Sequence, residues 1–137
     1  MAEVQFEDYS MKVKDALQSA TIAFLNEAGG EVKSQTQRNT KKDTGQTAGS
    51  WKYEVDEMAL TATIGSTEMN AVYEEFGTGE GALHGDGRKT PWKYKDRKGQ
   101  WHTTHGKQAR RPFFKAFNTN KEKIQRMLEK KLGALGK

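Results

Sequence analysis

Three histidines are the side chains of this sequence best suited to bind a metal ion. His102 and His105 are close in sequence, and His84 with Asp86 precedes them. Imidazole nitrogens and carboxylate oxygens at short spacing can hold Zn²⁺. However, the chain has no cysteine and no HExxH motif, and the histidine pair falls at the end of a predicted strand. Histidines in surface loops are far commoner than zinc sites, so we predict no metal.

Other patterns that could support catalysis are also incomplete. The glycine-rich segments 77–81 and 85–87 are not followed by a GK[ST] sequence or by a predicted helix, so they do not form a phosphate-binding loop. Glu74 and Glu75 are adjacent in a predicted helix, where neighbouring side chains point about 100° apart. They therefore cannot act together on one substrate atom. We predict no catalytic residue and no cofactor, and we do not expect an enzyme.

A basic strip, residues 88–115, combines cationic and aromatic side chains. The aromatic residues are Trp92, Tyr94 and Trp101. The candidate phosphate contacts are Lys93, Lys95 and Arg97. Strands of this kind bind single-stranded nucleic acid by stacking and phosphate contacts, so a nucleic-acid-binding module is one hypothesis. The alternation of aromatic with basic residues favours a second hypothesis, in which all three aromatic side chains face the core.

The net charge of +5 hides a strong alternation along the chain. Successive blocks 1–32, 33–52, 53–80, 81–115 and 116–137 carry net charges of −4, +4, −7, +8 and +4. A simple nucleic-acid-binding protein would not be expected to place seven carboxylates beside its basic region. Alternating blocks are typical of surfaces on which one copy meets another, although solvated faces would give the same pattern.

Composition restricts the class of protein further. The chain has 137 residues, of which 34% are apolar, so we predict a single domain over 1–137 with a small core. No apolar run approaches the ~20 residues of a membrane-spanning helix. The first residues lack the pattern of a secretory signal, and the absence of cysteine excludes a disulfide scaffold. We expect the protein to act in a reducing cytoplasm or in an object assembled there.

Hydrophobic periodicity predicts three helices and two hairpins. The elements in order are an amphipathic helix over 4–28, a polar loop over 39–50, a hairpin with strands at 51–55 and 60–65, a short helix over 70–77, a long loop over 78–91, a second hairpin over 92–104, and a helix from Arg111 onwards. The pair Gly29-Gly30 offers a stop to the first helix, but Ala28, Val32 and Gln35 keep its phase to about Arg38.

This order of elements predicts an α+β fold. The two hairpins form one antiparallel four-stranded sheet that packs against the N-terminal and C-terminal helices, with a short middle helix and two long mobile loops. The residues expected to anchor the core are Phe24, Trp51, Trp92, Trp101, Phe113 and Phe117.

Three motifs occur together in a characteristic order. They are Asp43-Thr44-Gly45 followed by Ser50, then Val72-Tyr73-Glu74-Glu75-Phe76-Gly77-Thr78-Gly79, and finally Gln108-Ala109-Arg110-Arg111-Pro112-Phe113-Phe114. In this order the chain resembles the tail-component family of long-tailed bacteriophages, whose members are head–tail joining or tail-completion proteins related in fold to tail terminators. The sequence departs from the family pattern at Lys42, where proline is frequent, and at Gln46, where leucine is common.

The resemblance implies a structural role without catalysis or cofactor. It implies an α+β subunit that assembles in the host cytoplasm as a ring, commonly of six copies, in the neck of the virion at the head-proximal end of the tail. Its partners would be further copies of itself, the connector or stopper of the head, and tail-tube or tail-terminator proteins. DNA would pass through the ring only as cargo. The alternative within the same family is a tail terminator that caps the tube.

The resemblance also indicates which residues take part in assembly. They are Asp43, Thr44, Gly45, Ser50, Glu74, Glu75, Phe76, Gly77, Thr78, Arg110 and Arg111. For Phe76 and Phe113 core packing is the stronger expectation, and for Arg110 and Arg111 it is pairing with an acidic neighbour. The loops 39–50 and 78–91 are expected to become ordered on contact with neighbouring subunits.

Overall fold

A computed structural model describes residues 10–40 and 45–135, and two long helices form its framework. The elements in order are α1 (Ser10–Asn39), α2 (Gln46–Gly49), β1 (Lys52–Asp56), β2 (Thr61–Gly65), α3 (Met69–Phe76), a 3-10 turn (Gly79–Gly81), β3 (Trp92–Lys95), β4 (Trp101–Thr104) and α4 (Pro112–Ala134). The α+β class is therefore confirmed. Within these described ranges no helix is long and apolar enough to cross a bilayer.

Helices α1 and α4 pack along each other in antiparallel directions. The side chains that are buried on these two helices are small or short and polar, among them Ala28, Thr36, Ala116 and Asn120. Ion pairs flank the contact, with Lys123 Nζ 3.1 Å from Glu31 Oε1 and Lys131 Nζ 3.4 Å from Glu27 Oε2. Such surface pairs contribute little each, so the close packing of the small side chains matters more to this contact.

Helix α1 continues through Gly29 and Gly30 to Asn39 rather than stopping there. The first hairpin explains the glycines, because the Tyr53 ring of β1 lies directly on them. A Cβ atom at Gly29 would be 2.8 Å from Tyr53 Cδ2, whereas one at Gly30 would be 3.8 Å from Tyr53 Cε1. Tyr53 pairs with Ile64 across the β1–β2 hairpin, and the hairpin packs against α1.

The prediction of a single four-stranded sheet is wrong. The described residues form two separate two-stranded antiparallel sheets, β1–β2 and β3–β4, and β3–β4 packs against none of α1–α4. The register gives the physical reason. Lys95 pairs with Trp101 and Tyr94 with His102, so Trp101 shares a face with the lysines instead of with Trp92 and Tyr94. Neither face is purely apolar, and the hairpin has no apolar side to bury on a helix.

The predicted core anchors divide into three groups. Trp51 is buried, whereas Phe24, Trp92 and Phe113 are half-buried. Trp101 is 67% exposed and Phe117 is 43% exposed, so these two do not anchor the core. Phe117 follows the buried Ala116, and the next residue on a helix points about 100° away. The buried apolar residues are instead mostly small: Ala28, Val32, Ala48, Trp51, Ala71 and Ala116.

The two segments predicted as loops contain regular structure. Helix α2 occupies part of 39–50, while residues 41–44 lie outside the described ranges. In 78–91, the 3-10 turn is bound to the chain that follows β4, because Glu80 N donates to His105 O at 2.9 Å and Thr78 N donates to Lys107 O at 2.8 Å. This part of the segment is therefore not structureless.

The two central glycines of α1 provide a stability test. Both Gly29→Ala and Gly30→Ala remove the helix cost of glycine, about 1 kcal/mol, but only alanine at 29 overlaps the Tyr53 ring. We expect Gly30→Ala to unfold at higher urea concentration than the wild type. We expect Gly29→Ala to be less stable than Gly30→Ala by about 1–3 kcal/mol, the usual cost of overpacking. Equal stability of the two variants would contradict this packing.

Candidate assembly surface

Helix α3 is amphipathic with its polar face turned inward. Ala71, Glu74 and Glu75 are buried. The large apolar side chains of the helix are exposed, at i, i+3, i+4 and i+7 spacing along another face: Met69, Val72, Tyr73 and Phe76. Surface helices normally bury their apolar stripe and expose their charges. We call the four exposed residues the α3 ridge. Exposed apolar patches are a common feature of protein–protein contact surfaces, so the α3 ridge is the candidate assembly surface.

Glu75 faces inward because its carboxylate binds the start of α4. Its Oε2 accepts a hydrogen bond from Phe113 N at 2.9 Å, and its Oε1 accepts one from Phe114 N at 3.1 Å. Amides in the first turn have no partner within their own helix, and the side chain of Arg111 makes no capping hydrogen bond. The carboxylate also lies where the helix dipole favours a negative charge. Glu75 therefore caps α4 from another helix.

Glu74 joins the same junction through its backbone and its side chain. Its carbonyl oxygen accepts hydrogen bonds from Arg110 N at 2.8 Å and Arg111 N at 3.1 Å. Its side chain, only 4% exposed, forms an ion pair with Lys107 and lies 4.0 Å from Arg110 Nε. Arg111 packs on Phe114, with its guanidinium carbon 3.5 Å from the ring centre. The acidic neighbour of Arg110 is thus in the same subunit.

The GTG sequence that follows α3 forms a tight backbone contact with residues 105–109. Gly77 has φ 74°, and a Cβ atom there would lie 2.8 Å from Lys107 O and 2.9 Å from Ala109 N. Lys107 N donates to Thr78 Oγ1 at 2.9 Å. Glycine permits both this conformation and this approach. The contact therefore holds the chain that enters α4 close to the end of α3.

The junction brings together most of the residues that the motifs indicate. Glu74, Glu75, Phe76, Gly77, Thr78, Arg110 and Arg111 all belong to it. Gly45 and Ser50 lie apart from it, at the two ends of α2. Asp43 and Thr44 lie outside the described residues. Phe76 is 48% exposed instead of packing in the core, because α3 presents its carboxylate face to α4.

Ser50 links α2 to the chain before α3. Its Oγ lies 2.6 Å from Ser66 Oγ, which accepts a hydrogen bond from Glu68 N at 3.0 Å. Trp51 follows directly, with its ring stacked on Phe113 at a centroid distance of 6.4 Å and its Nε1 donating to Thr40 Oγ1 at 2.9 Å. The ends of α1, α2 and α4 therefore meet around one indole ring.

A second apolar surface, which the sequence patterns do not reveal, lies between α1 and the β1–β2 turn. It is an open groove of about 650 Å³, lined by Val13, Lys14, Leu17, Gln18, Thr21, Met58 and Leu60. Its four large apolar side chains are exposed: Val13, Leu17, Met58 and Leu60. We call this surface the α1 groove. The apolar spacing of α1 is visible in the sequence, but the side chains that β1–β2 leaves uncovered are not.

The β3–β4 hairpin presents a basic face with one exposed indole. Lys93, Lys95 and Trp101 share this face, and Lys95 Nζ lies 5.9 Å from the centre of the Trp101 ring. In the turn that also contains Arg97, Asp96 Oδ2 lies 2.6 Å from His102 Nε2. That hydrogen bond, together with one from the Gln100 amide, holds the pKa of Asp96 below its ordinary value of 3.8.

The three histidines do not converge. His102 contacts Asp96, His105 Nδ1 lies 3.8 Å from Glu80 Oε2, and the centre of the His84 ring lies 6.1 Å from that of Phe76. In the ranges that the structure describes, no three histidine or carboxylate side chains are grouped closely enough to hold a metal ion.

Comparison with known families gives a match over the first part of the chain. The family model described as "Bacteriophage HK97-gp10, putative tail-component" matches residues 4–77, more than half of the sequence. The matched region ends at Gly77, so it includes α2, β1–β2 and α3. No curated protein and no solved structure matches the chain.

The cap of α4 can be tested by substitution. We expect Glu75→Ala to lower the free energy of unfolding by about 1–3 kcal/mol, because two amides lose their acceptor. Glu75→Gln should cost less, since its amide oxygen still accepts a hydrogen bond. The control is Glu80→Ala at an exposed position, expected to change stability by no more than about 0.5 kcal/mol. Urea unfolding measures all three, and a Glu75→Ala variant as stable as Glu80→Ala would contradict the cap.

Proposed function

The chain belongs to the HK97 gp10-like family of bacteriophage tail components, and from this premise we propose that it assembles as a ring at the head-proximal end of the tail and joins the tail to the head connector. A tail component is a structural part of the virion. The finer assignment, to the neck and to a ring, rests on the order of the three motifs and on the exposed surfaces of the subunit.

The α3 ridge is the observation that supports this proposal most strongly. Four large apolar side chains of one helix are exposed while its two central carboxylates are buried. Removing apolar surface from water contributes roughly 25 cal/mol per Å², so the ridge favours association with another protein. A binding site for a small molecule would instead be expected to form a concave, enclosed pocket.

The partners in this proposal are proteins of the same particle. Copies of the chain itself would form the ring, six of them in the arrangement that the motif resemblance implies. The connector or stopper of the head would contact one side of the ring, and tail-tube or tail-terminator proteins the other. DNA would pass through the ring as cargo, and assembly would take place in the host cytoplasm.

A tail terminator that caps the tube is the alternative within the same family. The two roles differ in what happens when the protein is missing. Without a joining protein, finished tails of normal length and filled heads should accumulate separately. Without a terminator, tubes should continue to grow and exceed the normal length. Electron microscopy of lysates from a phage that lacks the gene distinguishes the two, and normally joined particles would contradict both.

A nucleic-acid-binding module is a second candidate function, which one observation favours. The register of β3–β4 places Trp101 on the same face as Lys93 and Lys95, and an exposed aromatic ring beside cations suits stacking and phosphate contact. Two other cations of the basic strip, Lys107 and Arg110, face Glu74 inside the subunit. The candidate site is therefore the hairpin face that carries the exposed indole.

The assembly surface can be tested with a charge on the ridge. We expect Phe76→Glu to fold normally, since the side chain is exposed, but to weaken each contact by about 2 kcal/mol or more, as at a central aromatic residue of an interface. Complementation with this variant should give few joined particles. Leu132→Glu is the matched control, because Leu132 is similarly exposed near the far end of α4. Normal yields of infectious particles with Phe76→Glu would contradict the proposed surface.

The basic hairpin can be tested by binding to single-stranded DNA at several salt concentrations. Replacement of Lys93, Lys95 and Arg97 by alanine should weaken binding, and each lost phosphate contact should reduce the slope of log affinity against log salt by about 0.7. The control replaces Lys115, Lys121 and Lys130 of α4, which changes the net charge equally. Equal losses in both variants, or no binding of the wild type at low salt, would reject the nucleic-acid hypothesis.

A further inference from the structure

We propose that the basic face of the β3–β4 hairpin docks on the acidic outer face of the β1–β2 hairpin of the next copy. The inference rests on the proposed ring and names the surfaces that join its subunits. Lys93, Lys95 and Trp101 lie on the basic face, and Glu54 and Asp56 lie on the acidic face. A second copy of this chain is thus the occupant of the acidic face.

Within one subunit neither face is covered by the other. In the part of the chain that the structure describes, β3–β4 packs against neither β1–β2 nor any of α1–α4. Strand β1 places the Tyr53 ring on α1 and leaves Glu54 and Asp56 exposed on its outer side. Lys93 and Lys95 are exposed as well. Both faces are therefore accessible to another molecule.

The two hairpins carry opposite charge. Residues 92–104 contain four lysine or arginine side chains and one aspartate, a net charge of +3, whereas residues 52–65 contain one lysine and three carboxylates, a net charge of −2. Among the described residues, no ion pair of the subunit involves Glu54, Glu57 or Lys93. Complementary charge aligns partners and disfavours contacts between like surfaces. The charges thus favour a contact between the two different hairpins.

The spacing of the charges on the two faces is also the same. Side chains two residues apart on a strand point to one face and lie about 7 Å from each other. Lys93 and Lys95 of β3 have this separation, and so do Glu54 and Asp56 of β1. Two sheets that pack face to face can therefore place both cations opposite both carboxylates at once.

The exposed indole has a place in the same contact. Trp101 is the cross-strand partner of Lys95, just as Thr63 is the cross-strand partner of Glu54. A depression of about 230 Å³, lined in part by Glu54, Thr63 and Gly65, lies on the outer face of β1–β2. With Lys95 opposite Glu54, the Trp101 ring lies over this depression. A tryptophan in a pocket is typical of the residues that contribute most to an interface.

A protein partner suits the basic face better than a single-stranded nucleic acid. Nucleic-acid surfaces of this type stack successive bases on several aromatic rings, whereas Trp101 is the single aromatic side chain on the face that carries the lysines. The chain itself supplies a surface of opposite charge and equal spacing. Because the two faces differ, the contact is heterologous, and repetition of such a contact can close into a ring.

Charge reversal on each face tests the contact. The first variant carries Lys93→Glu and Lys95→Glu, and the second carries Glu54→Lys and Glu57→Lys. Asp56 is kept, because its Oδ1 accepts hydrogen bonds from two amides of the β1–β2 turn. All four substituted side chains are exposed, and circular dichroism verifies that the variants fold. Each variant is supplied from a plasmid to a phage that lacks the gene.

We expect each variant alone to lower the number of infectious particles at least ~10-fold, because like charges then face each other. The two reversals combined in one chain should restore the number to within about threefold of the wild type, since opposite charges meet again. The control carries Lys115→Glu and Lys121→Glu, exposed positions of α4, which change the net charge equally to the first variant. It should remain close to the wild type.

A second measurement uses the wild-type protein and does not depend on the folding of any variant. A carbodiimide couples a lysine amine to a nearby carboxylate as an amide. In purified particles it should join chains into dimers and larger species. Mass spectrometry of digested dimers should identify links between residues 92–104 of one chain and residues 52–65 of another.

Three results would overturn the inference. They are a face variant as infectious as the α4 control, a loss in the first variant that the combined variant does not reverse, and particles that contain the protein but give no link between the two hairpins. The second result indicates another partner of the basic face, such as DNA. In all three cases the proposed function stands, because the wild-type gene still restores joined particles. The proposed function itself fails if joined particles lack the wild-type protein.

Discussion

The carboxylate of Glu75 at the first turn of α4 is the interaction on which the arrangement of this subunit depends. Two amides at the start of α4 donate to it, and Arg111 supplies no cap of its own. The next residues of α4 then reach Trp51 through the Phe113 ring, while Pro112 O accepts a hydrogen bond from Asn39 at the end of α1. One acidic side chain on a short helix thus fixes where the two long helices meet.

The position of Glu75 has a consequence for the rest of α3. A helix that directs its carboxylates inward must direct its apolar side chains outward, because the two sets lie on different faces. The subunit therefore has few large buried side chains and many exposed ones. In a protein that acts alone, these exposed apolar side chains would not contribute to stability through burial. In a subunit of a larger assembly, the same side chains stabilise the contact with a neighbour.

In the β3–β4 hairpin, the length of the turn decides on which face Trp101 lies. Alternation alone places Trp92, Tyr94 and Trp101 in one phase and predicts a buried aromatic face. Five residues, 96–100, separate β3 from β4, so Trp101 pairs with Lys95. The basic residues and one indole then share a face, and the hairpin remains separate from the first sheet.

The sequence by itself determined the family, the α+β class and the strands of both hairpins, whereas it left open whether the first helix stops at Gly29 and Gly30. These follow from local periodicity and from short motifs, which act over a few residues. Only the tertiary structure decided the inward direction of Glu74 and Glu75, the separation of the sheets and the place of the α1 groove. The physical reason is that each depends on a partner distant in the chain: Glu75 on Phe113 and Phe114, and Leu17 on Met58 and Leu60.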